Sequence, residues 1–552
     1  MTDPIVAAHS PASTQRSSTA ARNSIIVSCW TLVSRLTGLL RVVVIGAVLG
    51  PTFFANIFQA GYVVPNLVYS AIAGPVLAMV LVPTLVRAIG THGLARGKQV
   101  FGQVCGCLLT LACAFAVLLV VLSPLIAWTL TFGIPDPEDR ARAQELSTIL
   151  VLFVAPQVPL FTIAGLGAAA QQARGRFALQ AGAGAVENLG LIATVVVTAT
   201  IFGTGLEVGE VGVPMVVLLG VGSTLAVGLH AGLQLFGAAR GGILTWPTWR
   251  WWRDLEARTF ARRMYRSFGV AACPAAAMYV LTALSGTVPG GVLVVQLAFT
   301  VFYGLSYLGA RAVSVAVLPG LAAAVDSDSA AAFASAWRQG LTYVITASLP
   351  MLCLLVVFAA PVADLLARGE MRTGPVIGAL AACLVVVAVA QLVGGVHDLG
   401  RQALFARLDE RRPRLAGVVA LMVSLAVAVG AMALPVGSAR LFGLTLAILA
   451  AELAAAAMVL AKLHNVIGLS RMIDLRGLAG PVIATVTMLP VTLTGLWTLH
   501  TLAVSRTGEL VLLAGAALVA IGVYAAALLT ALARRTALAR RTALAQGTTP
   551  KP

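Results

Sequence analysis

The chain has 552 residues, 59% of them hydrophobic and 10% charged, with a mean hydropathy of +0.96. Soluble domains carry charge on about a quarter of their residues, so a soluble globular protein is excluded. The net charge of +17 belongs to short loops and tails, none long enough to fold as a basic domain. That argues against nucleic-acid binding and for membrane orientation plus attraction to anionic headgroups.

Residues 1–23, rich in Ser, Thr, Ala and Pro with Arg16 and Arg22, read as a disordered cytoplasmic tail. Apolar segments of about 20 residues or more then recur, each enough for one helical crossing. The first, near 24–49, is too long for a cleaved leader and carries Arg35 and Arg41. A charge inside a span costs a few kcal/mol even on the lenient insertion scale and normally faces a partner, a watery cavity or an anionic ligand. Further segments near 53–86, 100–131, 146–172, 178–203 and 212–237 complete a six-helix bundle over 24–239.

A basic stretch at 240–263 follows, with Trp246, Trp249, Trp251 and Trp252 among its arginines, and reads as an interfacial helix linking two bundles. The second bundle, 264–466, takes segments near 264–286, 290–320, 339–362, 374–406, 414–435 and 441–463. Two extra spans near 477–500 and 510–532 occupy 467–533, and 534–552 forms a basic cytoplasmic tail. The expectation is therefore an all-α polytopic protein of fourteen transmembrane helices, in two six-helix bundles related by a pseudo-two-fold plus two C-terminal helices. With both termini cytoplasmic, outside loops hold only Arg140, Arg142, Arg368, Arg372, Arg440 and Arg506 of the 37 basic residues. The positive-inside rule favours that orientation.

The two halves echo one another. Leu81-Val82-Pro83 closes the second span and Val317-Leu318-Pro319 the eighth; long Gly/Pro-interrupted spans at matching places point to a transport cavity. No phosphate-cradling glycine loop, nucleophile elbow or carboxylate metal cluster is present in the sequence, so an ATPase or hydrolase is unsupported and no cofactor or metal is expected. The driving force would then be a coupling ion or the membrane potential. The seven cysteines lie in apolar segments and read as small buried hydrophobes. His397 beside Asp398 reads as helix packing inside the bundle in preference to a proton-coupling role.

Four phrases resemble the MurJ/MviN family, lipid II flippases of bacterial cell-wall synthesis within the multidrug/oligosaccharidyl-lipid/polysaccharide exporter superfamily. They are Ser34-Arg35-Leu36-x-Gly38-x-x-Arg41 with Pro65-Asn66-Leu67 and Val82-Pro83; Gly175-Arg176-Phe177 leading to Glu187-Asn188; Arg368-Gly369-Glu370-Met371; and Arg401 to Pro413, with Ala406-Arg407-Leu408-Asp409. The resemblance implies alternating access around a cationic cavity that closes on the diphosphate-sugar headgroup, with the lipid tail in a groove formed by the last two helices. It makes Arg35, Arg41, Asn56, Asn66 and Arg401 the candidate cavity residues; Arg311, near the end of the eighth span, joins them as replacement cavity charge, the alternative being a span-end side chain that snorkels to the interface. On an ideal helix Arg35 and Arg41 lie about 120° apart, so facing one cavity requires a bend, which Gly38 permits.

The sequence also departs from the family. Cavity arginines expected near Tyr69 and Thr300 are missing, and the family's aspartate is Asn56. Transport of undecaprenyl-diphosphate-linked peptidoglycan precursor leads. The alternatives are an ion-coupled exporter of another lipid-linked saccharide or amphiphilic metabolite, and a membrane scaffold recruiting cell-wall synthesis proteins. The Arg-rich, Lys-poor composition suits an actinobacterial cell membrane.

Overall fold

The computed structural model describes residues 11–74, 77–326, 329–468, 472–502 and 505–545. Within a bilayer the backbone has no water to pair with, so each spanning segment must satisfy its own hydrogen bonds as a helix. Among the described residues there are accordingly only helices. The first half contains α1 (Pro11–Leu49), α2 (Phe53–Ile72), a π-helical turn (Leu77–Leu81), α3 (Val82–Val121), α4 (Ser123–Thr131), α5 (Pro137–Val154), α6 (Gln157–Ala173), α7 (Ala178–Phe202) and α8 (Val213–Arg240). The second contains α9 (Leu255–Ser285), α10 (Gly291–Leu308), α11 (Ala310–Asp326), α12 (Ala330–Val357), α13 (Ala359–Leu366), α14 (Gly374–Ala406), α15 (Arg411–Ala431), α16 (Ser438–Ile467), α17 (Leu475–Thr501) and α18 (Arg506–Ala545).

Among the described residues, twelve spans are long and apolar enough to cross a membrane. The 20-residue α2 and the apolar Ala272–Ser285 part of α9 stand where the other two of the fourteen segments were expected. Helix begins at Pro11, so residues 11–23 are helical where disorder was expected, and α18 carries the basic tail as helix to Ala545. Residues 1–10 and 546–552 lie outside the described residues. Cys29 and Cys113 are exposed, unlike the buried Cys105, Cys107, Cys353 and Cys383.

The chain packs as two compact units. One takes the residues up to Val48 with Ile57–Ala275, the other Leu49–Asn56 with the residues from Ala276 on. In the first, α8 packs on α7, α6 and α5, and α6 packs on α3. Its core sets Leu81, Leu85, Phe101 and Leu108 against Leu166, Ala170 and Ile243. In the second, α14 and α16 pack together, with α15 on α16 and α12 on α14. Trp337 is its largest fully buried side chain, and the indole Nε1 donates to Met472 O at 3.0 Å. The last pair, α17 and α18, docks on α12 through Met488, Ala520 and Tyr524, and the Tyr524 hydroxyl donates to Thr346 O at 2.8 Å.

The second and eighth spans are both broken. Helix geometry lapses at Ala73 and again at Gly309, each ten residues before the proline that closes the matching phrase, Pro83 or Pro319. In the second span a π-helical turn follows; in the eighth, Gly309 (φ −110°, ψ −105°) separates α10 from α11. Arg311, expected near a span end, therefore sits just past a break inside an apolar run that continues to Val325.

The linker expected as an interfacial helix over 240–263 takes another form. Gly241 and Gly242 (φ +71°) end α8, residues 243–248 run without helix, and a single 3-10 turn at Trp251–Arg253 precedes α9. Pro247 cannot extend a helical ladder through this stretch. The strand-like segment lies on α3, where Thr248 N donates to Gly102 O at 2.8 Å. Gly102 and Gly106 make that approach feasible: a Cβ at Gly102 would stand 2.9 Å from Trp246 O, and one at Gly106 would collide with the Thr248 backbone. Gly106→Leu should therefore detach residues 243–248 from α3 and expose them to added protease. Wild-type resistance in the variant would show the contact to be dispensable.

Candidate functional site

A buried polar network in the first unit is built from five helices that are otherwise apolar. Arg41 on α1 is half-buried, and its Nη1 donates both to the Tyr62 hydroxyl on α2 and to Asn188 Oδ1 on α7, each at 3.0 Å. Its guanidinium also stands over the Tyr62 ring, 5.0 Å from the centroid. Arg41 Nε is buried without a partner. Asn188 ties α7 to α1 through Nδ2, which donates to Ser34 O at 3.2 Å and Thr37 Oγ1 at 3.1 Å.

Beyond Tyr62 the network reaches an acid and a base. The Tyr62 hydroxyl donates to Glu187 Oε1 at 2.8 Å, and Glu187 Oε2 lies 2.7 Å from His230 Nδ1 on α8. Gln234, one turn along α8, approaches His230 Nε2 at 3.4 Å and accepts from Gln171 Nε2 on α6 at 2.6 Å. A lone carboxylate in a membrane span is costly unless paired. Here it faces an imidazole, a phenol and, through the phenol, a guanidinium. The arrangement can hold positive charge inside the span and present it to an anion without stranding a bare cation in lipid.

The expected site residues fall in different settings. Arg35 is exposed, six residues before Arg41 on the same helix, and α1 runs through Gly38 as one helix. Asn56 is 2% exposed and fully engaged: Nδ2 donates to Val288 O at 2.7 Å and Gly286 O at 3.3 Å, and Oδ1 accepts from Val292 N at 3.0 Å. It pins the turn that launches α10, which leaves none of its polar atoms for a ligand. Asn66 is exposed on α2 and accepts from Ser70 Oγ at 3.4 Å. Arg311 is half-buried at the start of α11. Arg401 pairs with Asp398 on its own helix, and Arg401 Nε and Asp398 Oδ2 are buried without partners. His397 turns to Glu452 on α16, 2.8 Å away, rather than to Asp398.

Tyr62, Glu187 and His230 were not among the expected site residues. Glu187 is the one acid in its span, which was a usable signal; Tyr62 and His230 have no such mark. At the two positions where the family pattern would place arginines, the chain has packing instead. Tyr69 stacks on Phe161 (5.9 Å between centroids, planes at 29°) against the first unit's core. Beside Thr300, Phe299, Phe302 and Tyr303 form a cluster with centroids 5.3 to 6.5 Å apart. Tyr69→Arg would bury a cation among apolar side chains, so it should reduce the amount of folded protein recovered from membranes; normal recovery with higher activity would contradict this packing. No group of three or more His, Cys, Asp or Glu is placed to hold a metal among the described residues. In the second unit a cavity of about 300 Å³ opens beside α17 and α18, lined by Leu365, Ile377, Leu499, Leu513, Asp364 and Glu509 among others.

The sequence profile of a family described as lipid II flippase MurJ matches residues 45–513. A probable lipid II flippase from Vibrio cholerae is 26% identical over 237 residues, which is 42% of this chain and 43% of that protein's length. The chain thus spans less than half of this curated relative. Among solved structures, a lipid II flippase in an inward closed conformation superposes with a TM-score of 0.71 at 14% identity, covering 93% of this chain and 100% of the other. An inward-facing multidrug resistance MATE family transporter of the MOP superfamily reaches 0.59 at 14% identity, over 81% of this chain and 99% of the other. At these identities the structural likeness establishes the fold.

Proposed function

Because the chain belongs to the MurJ lipid II flippase family, we propose that it carries undecaprenyl-diphosphate-linked peptidoglycan precursor from the inner to the outer leaflet by alternating access. It is then a multi-pass membrane transporter, with both termini cytoplasmic, rather than a catalyst of bond-making chemistry. The observation that carries this reading is Arg41: a guanidinium inside a span, held by two neutral oxygens, with its Nε unpaired. A diphosphate leaving water needs charged, directional donors, and arginine supplies them without losing its proton. Arg35, on the same helix and exposed, is the second such group. Arg401 and Arg311 are the further candidate residues of this reading, and the lipid tail is assigned to a groove formed by α17 and α18. Membrane lipids surround the exposed apolar faces; cell-wall synthesis proteins are the further partners of this reading, and an ion gradient or the membrane potential drives it.

The test is rescue of a bacterium depleted of its own lipid II flippase, with lipid II followed in the outer leaflet. Rescue with outward movement is the expected result. A well-expressed protein that leaves lipid II in the inner leaflet would favour the second reading, export of another lipid-linked saccharide or amphiphilic metabolite. The aromatic cluster at Phe299, Phe302 and Tyr303, where the family pattern has charge, is what favours that alternative.

A further inference from the structure

The network around Arg41 contains more chemistry than an anion contact requires. Glu187 is 7% exposed, and the His230 side chain is 17% exposed. Two groups that titrate are thus in direct hydrogen-bond contact inside a membrane unit, where the little water that reaches them screens them poorly. Five hydrogen-bonded steps connect α1 to α6: Arg41 to Tyr62, Tyr62 to Glu187, Glu187 to His230, His230 to Gln234, and Gln234 to Gln171. The donor pattern assigns a resting state. Gln234 Nε2 donates to His230 Nε2, so a neutral imidazole carries its proton on Nδ1 and gives it to Glu187 Oε2. In that state the charges are one guanidinium and one carboxylate, linked by the Tyr62 hydroxyl.

We propose that Glu187 and His230 together bind one exchangeable proton, and that its uptake strengthens the hold of Arg41 on an anionic headgroup. The proposal rests on the reading of Arg41 as the headgroup contact. An incoming diphosphate and the Glu187 carboxylate both attract the Arg41 guanidinium. With the pair unprotonated, the carboxylate opposes the diphosphate and retains Arg41 through Tyr62. A proton from water, shared between Oε2 and the imidazole, cancels one negative charge at that point. Arg41 then meets the anion with its positive charge uncompensated. The groups whose charge bears on Glu187 are Arg41 from α1, Tyr62 from α2 and His230 from α8; α6 contributes the neutral Gln171 at the far end of the chain of hydrogen bonds. Thermodynamic reciprocity requires that cargo binding should in turn draw a proton onto the pair.

Two measurements test the two halves of the statement. Infrared difference spectra of the cargo-free protein, stepped from about pH 8 to about pH 5 where imidazole changes charge, should show a protonation change that Glu187→Gln removes. A spectrum without that change overturns the proton site, whatever the cargo. Binding of lipid II to the protein in nanodiscs should tighten on the order of tenfold over the same window. Glu187→Gln, which keeps the side-chain shape but cannot ionise, should bind tightly at both ends of it. Equal pH slopes for wild type and Glu187→Gln overturn the link to Arg41. Should the wild type bind no lipid II at either pH, the cargo reading falls, and inorganic pyrophosphate in the same wild-type and Glu187→Gln comparison decides the link.

Discussion

Replacing Arg41 by alanine is expected to abolish rescue of a flippase-depleted strain while the protein still reaches the membrane. Two hydrogen bonds from a charged guanidinium to a diphosphate are worth roughly 3 kcal/mol or more together, about a hundredfold in affinity. No other side chain in the first unit's network carries a fixed positive charge that could substitute: Tyr62 and Asn188 are neutral, and His230 is committed to Glu187. Arg41→Lys keeps the charge but lacks the planar fork that reaches Tyr62 and Asn188 together, so it should recover only a fraction of transport. The check is outer-leaflet lipid II per unit of membrane-inserted protein. Full transport by Arg41→Ala would move the diphosphate contact away from the first unit's network altogether.

Asn56→Ala gives the opposite pattern, a loss of stability with transport per folded molecule retained. Removing the amide strands the Val288 and Gly286 carbonyls and the Val292 N–H at a buried turn. Each buried group left unpaired costs about 1–3 kcal/mol. A fall of about 3–8 °C in the thermal midpoint of the detergent-purified protein is expected. A variant of unchanged midpoint that no longer transports would return Asn56 to the ligand-contacting residues. The two substitutions thus separate the residue proposed to meet cargo from one that shapes the backbone, although the sequence presents both as polar side chains early in the chain.

That ambiguity shows how far the sequence could be read. The spans were legible because lipid demands about 20 apolar residues per crossing, and Arg41 was legible because a charge in such a run is expensive. Its partners were not: Tyr62 and Asn188 lie 21 and 147 residues away, and only packing brings them to the guanidinium. The linker was misjudged as an amphipathic helix on its Trp and Arg content, although Gly241, Gly242 and Pro247 already spoke against one. The breaks at Ala73 and Gly309 leave no trace in hydropathy, which continues across them; Gly74-Pro75 beside the first, Gly309 itself and the prolines downstream are the marks of irregularity. Asn56 could be matched to a family position but not to a role, since an amide that caps a turn and one that meets a ligand look alike in one dimension.

The two breaks have a mechanical consequence. An intact helix is a stiff rod, so tilting one end swings the other through the opposite arc. A departure from regular helix works as a hinge even though the bonds Leu77 N to Ala73 O and Val313 N to Gly309 O persist: α2 can bend against α3, and α10 against α11. The joint also places the stress of that movement on a few backbone torsions near Ala73 and Gly309, so stiffening either one should slow turnover without touching a single charge.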